Sequence, residues 1–399
     1  MAGITWLYVF YFFWSMLNPS ATGNVLNQEL GNQQHLYDSY AEVHCQFRSI
    51  TFGNTTEGYL RISSPQSSFE PGDYSIAFKA TKANGETTVD SLSLDQLSPT
   101  SDGAVISTLK WTDLMGGSVY VTIENKKSGE SWEYEWLIEK GDPLILKHQT
   151  GNPVFENYIL QKDTFQIISA NPDIDIVYLF HYRHNFEAAR PPISGGHGTS
   201  GKNLSIDSIW SIKVGTKMRL EDPGLYFVQS DSTSLEGLSF RVVDSSYPKP
   251  GNIKSLVAPL KYITTKSEYG QLQAAEDPKK AFDKFWLENT NDERLARENI
   301  RAYFQRFAWT NQVFTNYKEG WKTDRGLIYI IFGLPADVRR LPDREEWTYP
   351  SFNDGQVVFT FMKVPNIFTN QHYELVRNSE YDNFWFATVD AWRTGGLIR

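Results

Sequence analysis

The chain has 399 residues and a formal net charge of −9, with 40% apolar, 15% aromatic and 21% charged residues. At roughly 100–200 residues per domain, this length predicts two to four domains, and the aromatic content favours β-rich cores because flat rings pack well on pleated sheets. The acidic balance and the lack of any Lys/Arg run longer than two exclude a nucleic-acid binder, which needs a basic patch.

Residues 4–17 form an apolar run without a charge. A membrane-spanning helix needs about 20 residues, so the run is more typical of the core of a signal peptide, and small residues follow at 19–21. The usual basic start is missing, because no Lys or Arg precedes Arg48. We predict a signal peptide or N-terminal apolar segment over 1–23 and export to the periplasm, outer membrane or cell surface. A buried strand is the alternative. Residues 24–40, which are polar and lack periodicity, are predicted to be a linker.

Alternating apolar and polar residues at 59–63, 74–78, 119–123 and 132–136 predict short strands over 41–140. Their spacing favours an immunoglobulin-like β-sandwich. The single cysteine, Cys45, lies in such an alternation and is predicted to be a strand thiol with no disulfide or metal role.

Similar alternation at 174–180, 210–214, 224–228 and 238–242 predicts a second immunoglobulin-like sandwich over 141–247. The Gly-rich stretch 191–201 is predicted to be an exposed, mobile loop.

The Pro- and Gly-containing stretch 247–251 predicts a domain boundary, followed by an α+β domain over 252–399. Asp277 and Pro278 are typical of a helix start, and a longer helix with an aromatic stripe is predicted to begin after Asp292 and to end near Glu319. Strands are predicted at 327–332, 346–349, 356–361 and 372–376, forming an antiparallel sheet after the helices.

The segment 320–326 is predicted to connect the long helix to the first of these strands. Gly320 would end the helix in left-handed conformation, Asp324 would accept backbone hydrogen bonds in the turn, and Gly326 would allow a tight entry into the strand. Gly333 and Pro335 would end that strand in another turn.

A second interpretation of this segment is functional. If Trp321, Asp324 and Arg325 are exposed, they form a docking surface, and we add Trp347 and Tyr349 as candidate binding residues.

The residues Gly320 to Gly326, with Thr323 at the centre, resemble the signature of the GWxTD domain. An apolar stretch at 328–330, Gly-x-Pro at 333–335, and Glu345 or Glu346 followed by Trp347, Tyr349 and Pro350 extend the resemblance over about 150 residues. It implies an exported protein of Bacteroidota or related bacteria, and it supplies neither an activity nor catalytic residues.

A weaker similarity, at 333–335, 347–349 and 359–361, is to the small lipoproteins of the outer-membrane β-barrel assembly machinery. It implies an outer-membrane association at most, because many antiparallel sheets share these features.

No residue pattern predicts catalysis or a cofactor. His181 and His184 would point to opposite faces of a strand, His197 stands alone, and no nucleophile elbow, Walker or dinucleotide glycine pattern occurs. Glu345 and Glu346 beside Arg344 are interpreted as a solvated turn edge.

Three functions remain as hypotheses. The first is a non-catalytic envelope module that binds or spaces other envelope proteins. The second is glycan binding on aromatic surfaces of the β-domains, for which buried Trp132, Trp136, Trp347 and Trp392 would be unfavourable. The third is a hydrolase that uses scattered carboxylates, which requires a deep pocket with paired acids.

Overall fold

The structure is a computed structural model and is mainly β: 34% of the residues that it describes lie in strands and 26% in helices. The residues that the structure describes are 31–138, 143–193, 204–232, 235–351 and 355–396. The predicted signal peptide, the first part of the predicted linker and most of the Gly-rich loop lie outside them. Two compact units are present, one containing Ala41–Pro143 and the other containing Asn32–Tyr40 with Leu144–Arg399.

The first unit consists of two four-stranded antiparallel sheets, with strand orders β1-β2-β6-β5 and β4-β3-β7-β8. The strands predicted from alternation are all present. Their bounds are β1 His44–Phe52, β2 Thr55–Ser63, β3 Tyr74–Thr81, β4 Thr87–Ser91, β5 Ser98–Pro99, β6 Val105–Thr112, β7 Ser118–Asn125 and β8 Ser131–Leu137.

Aromatic pairs join the two sheets of this unit. Phe47 of β1 stacks on Trp136 of β8 with ring centroids 5.3 Å apart, and Phe78 of β3 meets Trp111 of β6 edge-on at 6.1 Å. Cys45 is a free thiol in β1, as predicted.

The β-strands of the second unit form a five-stranded sheet of order β10-β15-β14-β12-β13 and a two-stranded sheet of β11 and β9. All pairs are antiparallel except β10 with β15. The bounds are β9 Leu144–His148, β10 Tyr158–Leu160, β11 Phe165–Ser169, β12 Ile176–Tyr182, β13 Ser208–Lys213, β14 Gly224–Gln229 and β15 Leu238–Val243.

Helices and a last antiparallel sheet of order β16-β17-β18-β19 complete this unit. The helices are α1 Ile253–Val257, α2 Lys266–Ala274, α3 Pro278–Thr290, α4 Glu293–Phe314, α5 Asp324–Phe332 and α6 Asp382–Thr394. The strands are β16 Asp337–Arg340, β17 Arg344–Pro350, β18 Gln356–Lys363 and β19 Tyr373–Leu375.

Helix starts in this region follow the local capping chemistry. Asp277 caps α3, with Pro278 in its first turn, and Asp292 caps α4 through a 2.9 Å hydrogen bond from Leu295 N. The longer helix ends at Phe314, earlier than predicted.

The prediction of a strand at 327–332 is wrong, because these residues belong to α5. A short, continuous apolar run is compatible with a buried helix as well as with a buried strand. Because α5 is buried on nearly all sides, its apolar residues show no helical periodicity. The terminal helix α6 and the strand β16 are further elements that the sequence patterns did not predict.

The prediction that 24–40 is a linker is wrong for the part that the structure describes. Residues 32–40, which we call the strap, pack against the last sheet and α4: Gln33 N donates to Val338 O of β16 over 2.9 Å, and Trp309 Nε1 of α4 donates to Tyr37 O over 2.8 Å. The strap is therefore part of the second unit although it precedes the first unit in sequence.

Phe368 connects the last sheet to the five-stranded sheet within the second unit. Phe368, in the connection between β18 and β19, packs edge-on against Phe227 at 5.3 Å and Tyr182 at 5.5 Å. None of the helices in the described ranges has both the length and the hydropathy needed to cross a membrane.

Candidate functional site

The segment 320–326 connects two helices, α4 and α5, so the predicted helix–turn–strand connection is wrong. Gly320–Lys322 form one 3-10 turn, and Thr323 then caps α5. The Thr323 hydroxyl donates to Gly320 O over 2.7 Å and accepts from Gly326 N over 2.9 Å. The threonine thus closes the segment onto itself and satisfies a free amide of the first helical turn.

Both glycines of the segment are required by close packing. A Cβ on Gly320 would lie 1.9 Å from Thr310 O of α4, and one on Gly326 would lie 2.0 Å from Gly320 O. Gly320 is not among the residues with positive φ, so its predicted left-handed role is wrong.

Gly333 does adopt a left-handed φ of 80°, and it ends α5 rather than the predicted strand. Its amide donates to Tyr329 O over 2.8 Å, and Pro335 follows as a buried residue of the turn into β16.

Trp321 lies in the helical core. Its amide donates to Asn311 Oδ1 over 3.1 Å, and its carbonyl accepts from the Tyr262 hydroxyl over 3.0 Å. Its ring contacts Tyr262 and Phe307 at 5.9 and 6.0 Å. The side chain therefore fastens the turn to α4 and to the segment after α1.

Asp324 joins α5 to the last strand. One carboxylate oxygen lies 2.7 Å from Arg377 Nη2, and the other accepts from Leu375 N of β19 over 3.2 Å. The predicted backbone hydrogen bond is present, but its donor comes from a distant strand and not from the turn.

Arg325 forms a buried ion pair with Glu345 of β17, with Nη1 3.2 Å from Oε1. The guanidinium also lies over the Tyr373 ring, 4.1 Å from its centroid. Tyr37 of the strap donates its hydroxyl to the same carboxylate, 2.8 Å from Oε2 and 3.0 Å from Oε1. Arg340 Nε lies 3.5 Å from Oε1.

These contacts determine the protonation states of Glu345 and Tyr37. Burial alone would raise the pKa of Glu345, but Arg325 and Arg340 hold it below its usual range. Burial and the neighbouring Glu345 carboxylate raise the pKa of Tyr37. The carboxylate is thus ionised and surrounded by donors near neutral pH, which suits a structural ion pair.

The interpretation of Glu345 as a solvated turn edge is therefore wrong, because its side chain is 1% exposed. A period-two pattern places Glu345, Trp347 and Tyr349 on one face of β17, and all three are buried. Trp347 Nε1 lies 3.3 Å from Glu345 Oε2, and the Tyr349 hydroxyl donates to Gly333 O over 2.8 Å.

A second ion network lies just before the segment. Glu319 pairs with Arg241 of β15 at 3.0 Å and with Lys322 at 2.8 Å, and Lys322 Nζ also donates to Asn185 Oδ1 over 2.6 Å. Burial would raise the pKa of Glu319, but the two cations lower it to about 2. This network joins the five-stranded sheet to the turn between α4 and α5.

The five predicted binding residues are thus brought into one region, but all are buried and none presents a free surface. Asp324 and Arg325, which a docking surface would need exposed, are only 8% and 7% exposed. Sequence patterns missed Tyr37, Arg377, Arg241 and Glu319, whose partners lie far away in the chain. Glu345 could have been recognised from its place on the aromatic face of β17.

Within the described ranges, no group of three or more His, Cys, Asp or Glu side chains stands at metal-binding distances. His181 is buried and stacks on Tyr226 at 4.3 Å.

A surface depression of about 320 Å³ lies in the first unit, remote in sequence from the segment 320–326. Its lining includes Trp111, Lys82 and Lys110.

Comparison with known families identifies the region built around this segment. Residues 224–394 match the model of the GWxTD domain. The match begins at the start of β14 and runs to the end of α6, so it includes the last two strands of the five-stranded sheet as well as the predicted α+β region. A search of curated proteins found no match. The chain is therefore a GWxTD domain-containing protein, with that domain over residues 224–394.

Proposed function

We propose that this protein is a non-catalytic module of the bacterial cell envelope that binds or spaces other envelope proteins, in the periplasm or at the outer membrane. The apolar run at 4–17 and the resemblance to exported proteins of Bacteroidota support the location. The tandem β-sheets and the ion networks that occupy the motif side chains support a structural role.

The observation that carries the interaction role is the edge of the five-stranded sheet. β13 stands at the end of the strand order, and within the described residues it pairs only with β12. Ile209 and Trp210 on this strand are 54% and 39% exposed. An edge strand with exposed apolar side chains is a site where an extended strand of a partner protein can pair.

The order of the strands in the sheets also supports a spacer role. In the first unit, β1-β2-β6-β5 and β8-β7-β3-β4 correspond to the A-B-E-D and G-F-C-C′ orders of immunoglobulin-like domains. We propose that both β-regions are immunoglobulin-like sandwiches, as the alternation in the sequence predicts.

The role can be tested by cross-linking in the native cells. A photo-reactive residue at Ser211, on the same strand, should capture one defined envelope protein, and the same substitution at exposed Thr88 of β4 should not. The Trp210→Glu change should abolish the capture while the circular dichroism spectrum stays the same. Recovery in the cytoplasmic fraction, or identical capture by the Trp210→Glu variant, would contradict the proposal.

Glycan binding is a second candidate because of the depression lined by Trp111, Lys82 and Lys110. The indole suits a sugar, since sugar CH groups pack on aromatic faces, and the two lysines, which pair with Glu86 and Glu57 at 3.0 Å, give the depression a polar rim. Of the tryptophans considered from the sequence, Trp132, Trp347 and Trp392 are buried, and Trp136 is half-buried. A glycan array with wild-type protein and Trp111→Ala would separate this candidate from the first.

No arrangement of described residues favours the hydrolase hypothesis. The acidic residues along α3 alternate with lysines on an exposed face and pair with them, as Lys279 does with Asp283 at 2.6 Å. This pattern is typical of a solvated helix.

A further inference from the structure

We propose that the slot which holds the strap is a peptide-binding site of the GWxTD domain, and that its ligand is the strap segment itself, a short peptide with an asparagine followed five residues later by a tyrosine. In the folded chain the strap of the same molecule fills the slot. The strap of a second copy of this chain is the occupant in trans. The inference goes beyond the envelope role and does not depend on it.

The first half of the strap binds the sheet as a peptide ligand does. Asn32 Oδ1 accepts from Val338 N over 3.0 Å, and Asn32 Nδ2 donates to Ala336 O over 2.9 Å. Gln33 N donates to Val338 O over 2.9 Å. The Asn32 side chain and the Gln33 amide thus bind backbone groups at and just before the edge strand β16 and fix the position of the segment. Peptides that bind sheet edges are also held through the backbone groups of the edge.

The second half supplies the specific contact. The Tyr37 ring lies between Phe314 and Trp347, with centroids 5.2 and 4.9 Å away, and its hydroxyl reaches both oxygens of Glu345. The Tyr37 carbonyl accepts from Trp309 Nε1 over 2.8 Å and from the Tyr329 hydroxyl over 2.9 Å.

This geometry selects tyrosine over phenylalanine. A phenylalanine would fill the aromatic space but would leave the buried Glu345 carboxylate without its hydroxyl donor. Sites that pair a buried polar group with a ligand hydroxyl reject the analogue that lacks it.

The strap resembles a separate ligand in two further respects. Its side-chain burial is concentrated in Gln33 and Tyr37, and it ends at Tyr40, which is 71% exposed. The residues outside the strap that hydrogen-bond to Tyr37 lie 272 to 308 positions later in the chain, beyond the whole first unit. A segment joined to its site by so long a connection is not held there by a short loop, so exchange between copies costs little.

A peptide-binding measurement on the full chain tests the site. A fluorescent peptide of residues 31–41 should bind the Tyr37→Ala variant with saturation, at a concentration at least about tenfold below that needed for the wild type, in which it must first displace the strap. A peptide with phenylalanine at position 37 should bind the Tyr37→Ala variant at least about tenfold more weakly. The Tyr40→Ala variant is the matched control, because its slot remains filled and it should bind the peptide as weakly as the wild type.

Two variants test exchange between copies. The Tyr37→Ala chain keeps an intact slot, and the Glu345→Gln chain keeps an intact strap, so their mixture should form a one-to-one dimer that neither forms alone in light scattering.

Hydrogen exchange on the wild type covers the case in which Tyr37→Ala does not fold. Excess 31–41 peptide should displace the strap and accelerate amide exchange at 32–40, whereas the phenylalanine peptide should not. The proposal is overturned if a folded Tyr37→Ala chain binds no peptide at millimolar concentration, or if excess peptide leaves strap exchange unchanged.

Discussion

At the scale of single residues, Gly320 has no room for a side chain. Its Cβ position lies 1.9 Å from a backbone oxygen of α4 and 2.8 Å from Asn311 Cα, and backbone atoms cannot move aside as a flexible side chain can. The glycine is thus needed for space and not for a special φ.

We therefore expect Gly320→Ala to lower the free energy of unfolding of the second unit by about 3 kcal/mol or more, because the helix and the turn must separate. Urea unfolding followed by tryptophan fluorescence measures the change. Gly270→Ala is the control: it lies within α2 with open space around it, and it should be neutral or stabilising by up to about 1 kcal/mol. Equal effects of the two substitutions would contradict the packing argument.

Glu319 makes the stability depend on acid pH. Its pKa in the folded chain is about 2, below the ordinary value of 4.5, so the folded state favours the ionised form. The stabilisation is complete above pH 4.5 and is lost as the pH falls toward 2, because the unfolded chain takes up the proton first.

Glu319→Gln should therefore lower stability at pH 7 by about 3 kcal/mol, and the difference from the wild type should shrink between pH 4.5 and 2. Urea midpoints at half-unit pH steps measure both curves. Parallel curves across this window would show that the Arg241 and Lys322 contacts do not stabilise the charge.

Among the secondary-structure elements, α5 shows what local sequence patterns can and cannot predict. Residues 327–332 are apolar almost without interruption, so periodicity alone does not separate a buried helix from a buried strand. Thr323 as cap, Asp324 in the first turn and Gly333 at the end are helix signals that support the structure. Asp324 and Gly333 are equally compatible with the predicted turns around a strand, so they do not identify the helix by themselves.

The cap of α5 can be tested directly. Thr323→Ala should destabilise the second unit by about 1–2 kcal/mol, because Gly326 N loses its acceptor and Gly320 O keeps only the Thr323 amide as a donor. Thr323→Ser keeps the hydroxyl and should recover most of the loss, as measured by thermal unfolding. If serine is no better than alanine, the hydroxyl is not the stabilising group.

At the scale of the whole molecule, the chain contains two units with separate cores. The first is held by aromatic pairs between its two sheets, including Phe47 with Trp136. The second is held by the helical core around Trp321 and by the ion networks of Glu345 and Glu319.

Calorimetry should therefore resolve two transitions. Gly58→Ala, whose Cβ would lie 2.5 Å from the Trp111 ring and 2.7 Å from Phe47, should lower only the transition of the first unit. Gly320→Ala should lower only the other. A single transition that both substitutions shift equally would show that the two units unfold together.

Features that depend on neighbouring residues could be predicted from the sequence. Alternation predicted β2, β3, β7, β8 and β12 to β15, Asp277 and Asp292 marked the helix starts, and residues 320–326 identified the GWxTD domain. Three outcomes could not be read from local patterns: that 327–332 is a helix, that Glu345 is buried in an ion pair and that Tyr37 fills a slot between α4 and the last sheet. The reason is physical: each outcome depends on groups that folding brings close, and the hydrogen-bond partners of the Tyr37 hydroxyl include Glu345, 308 residues away.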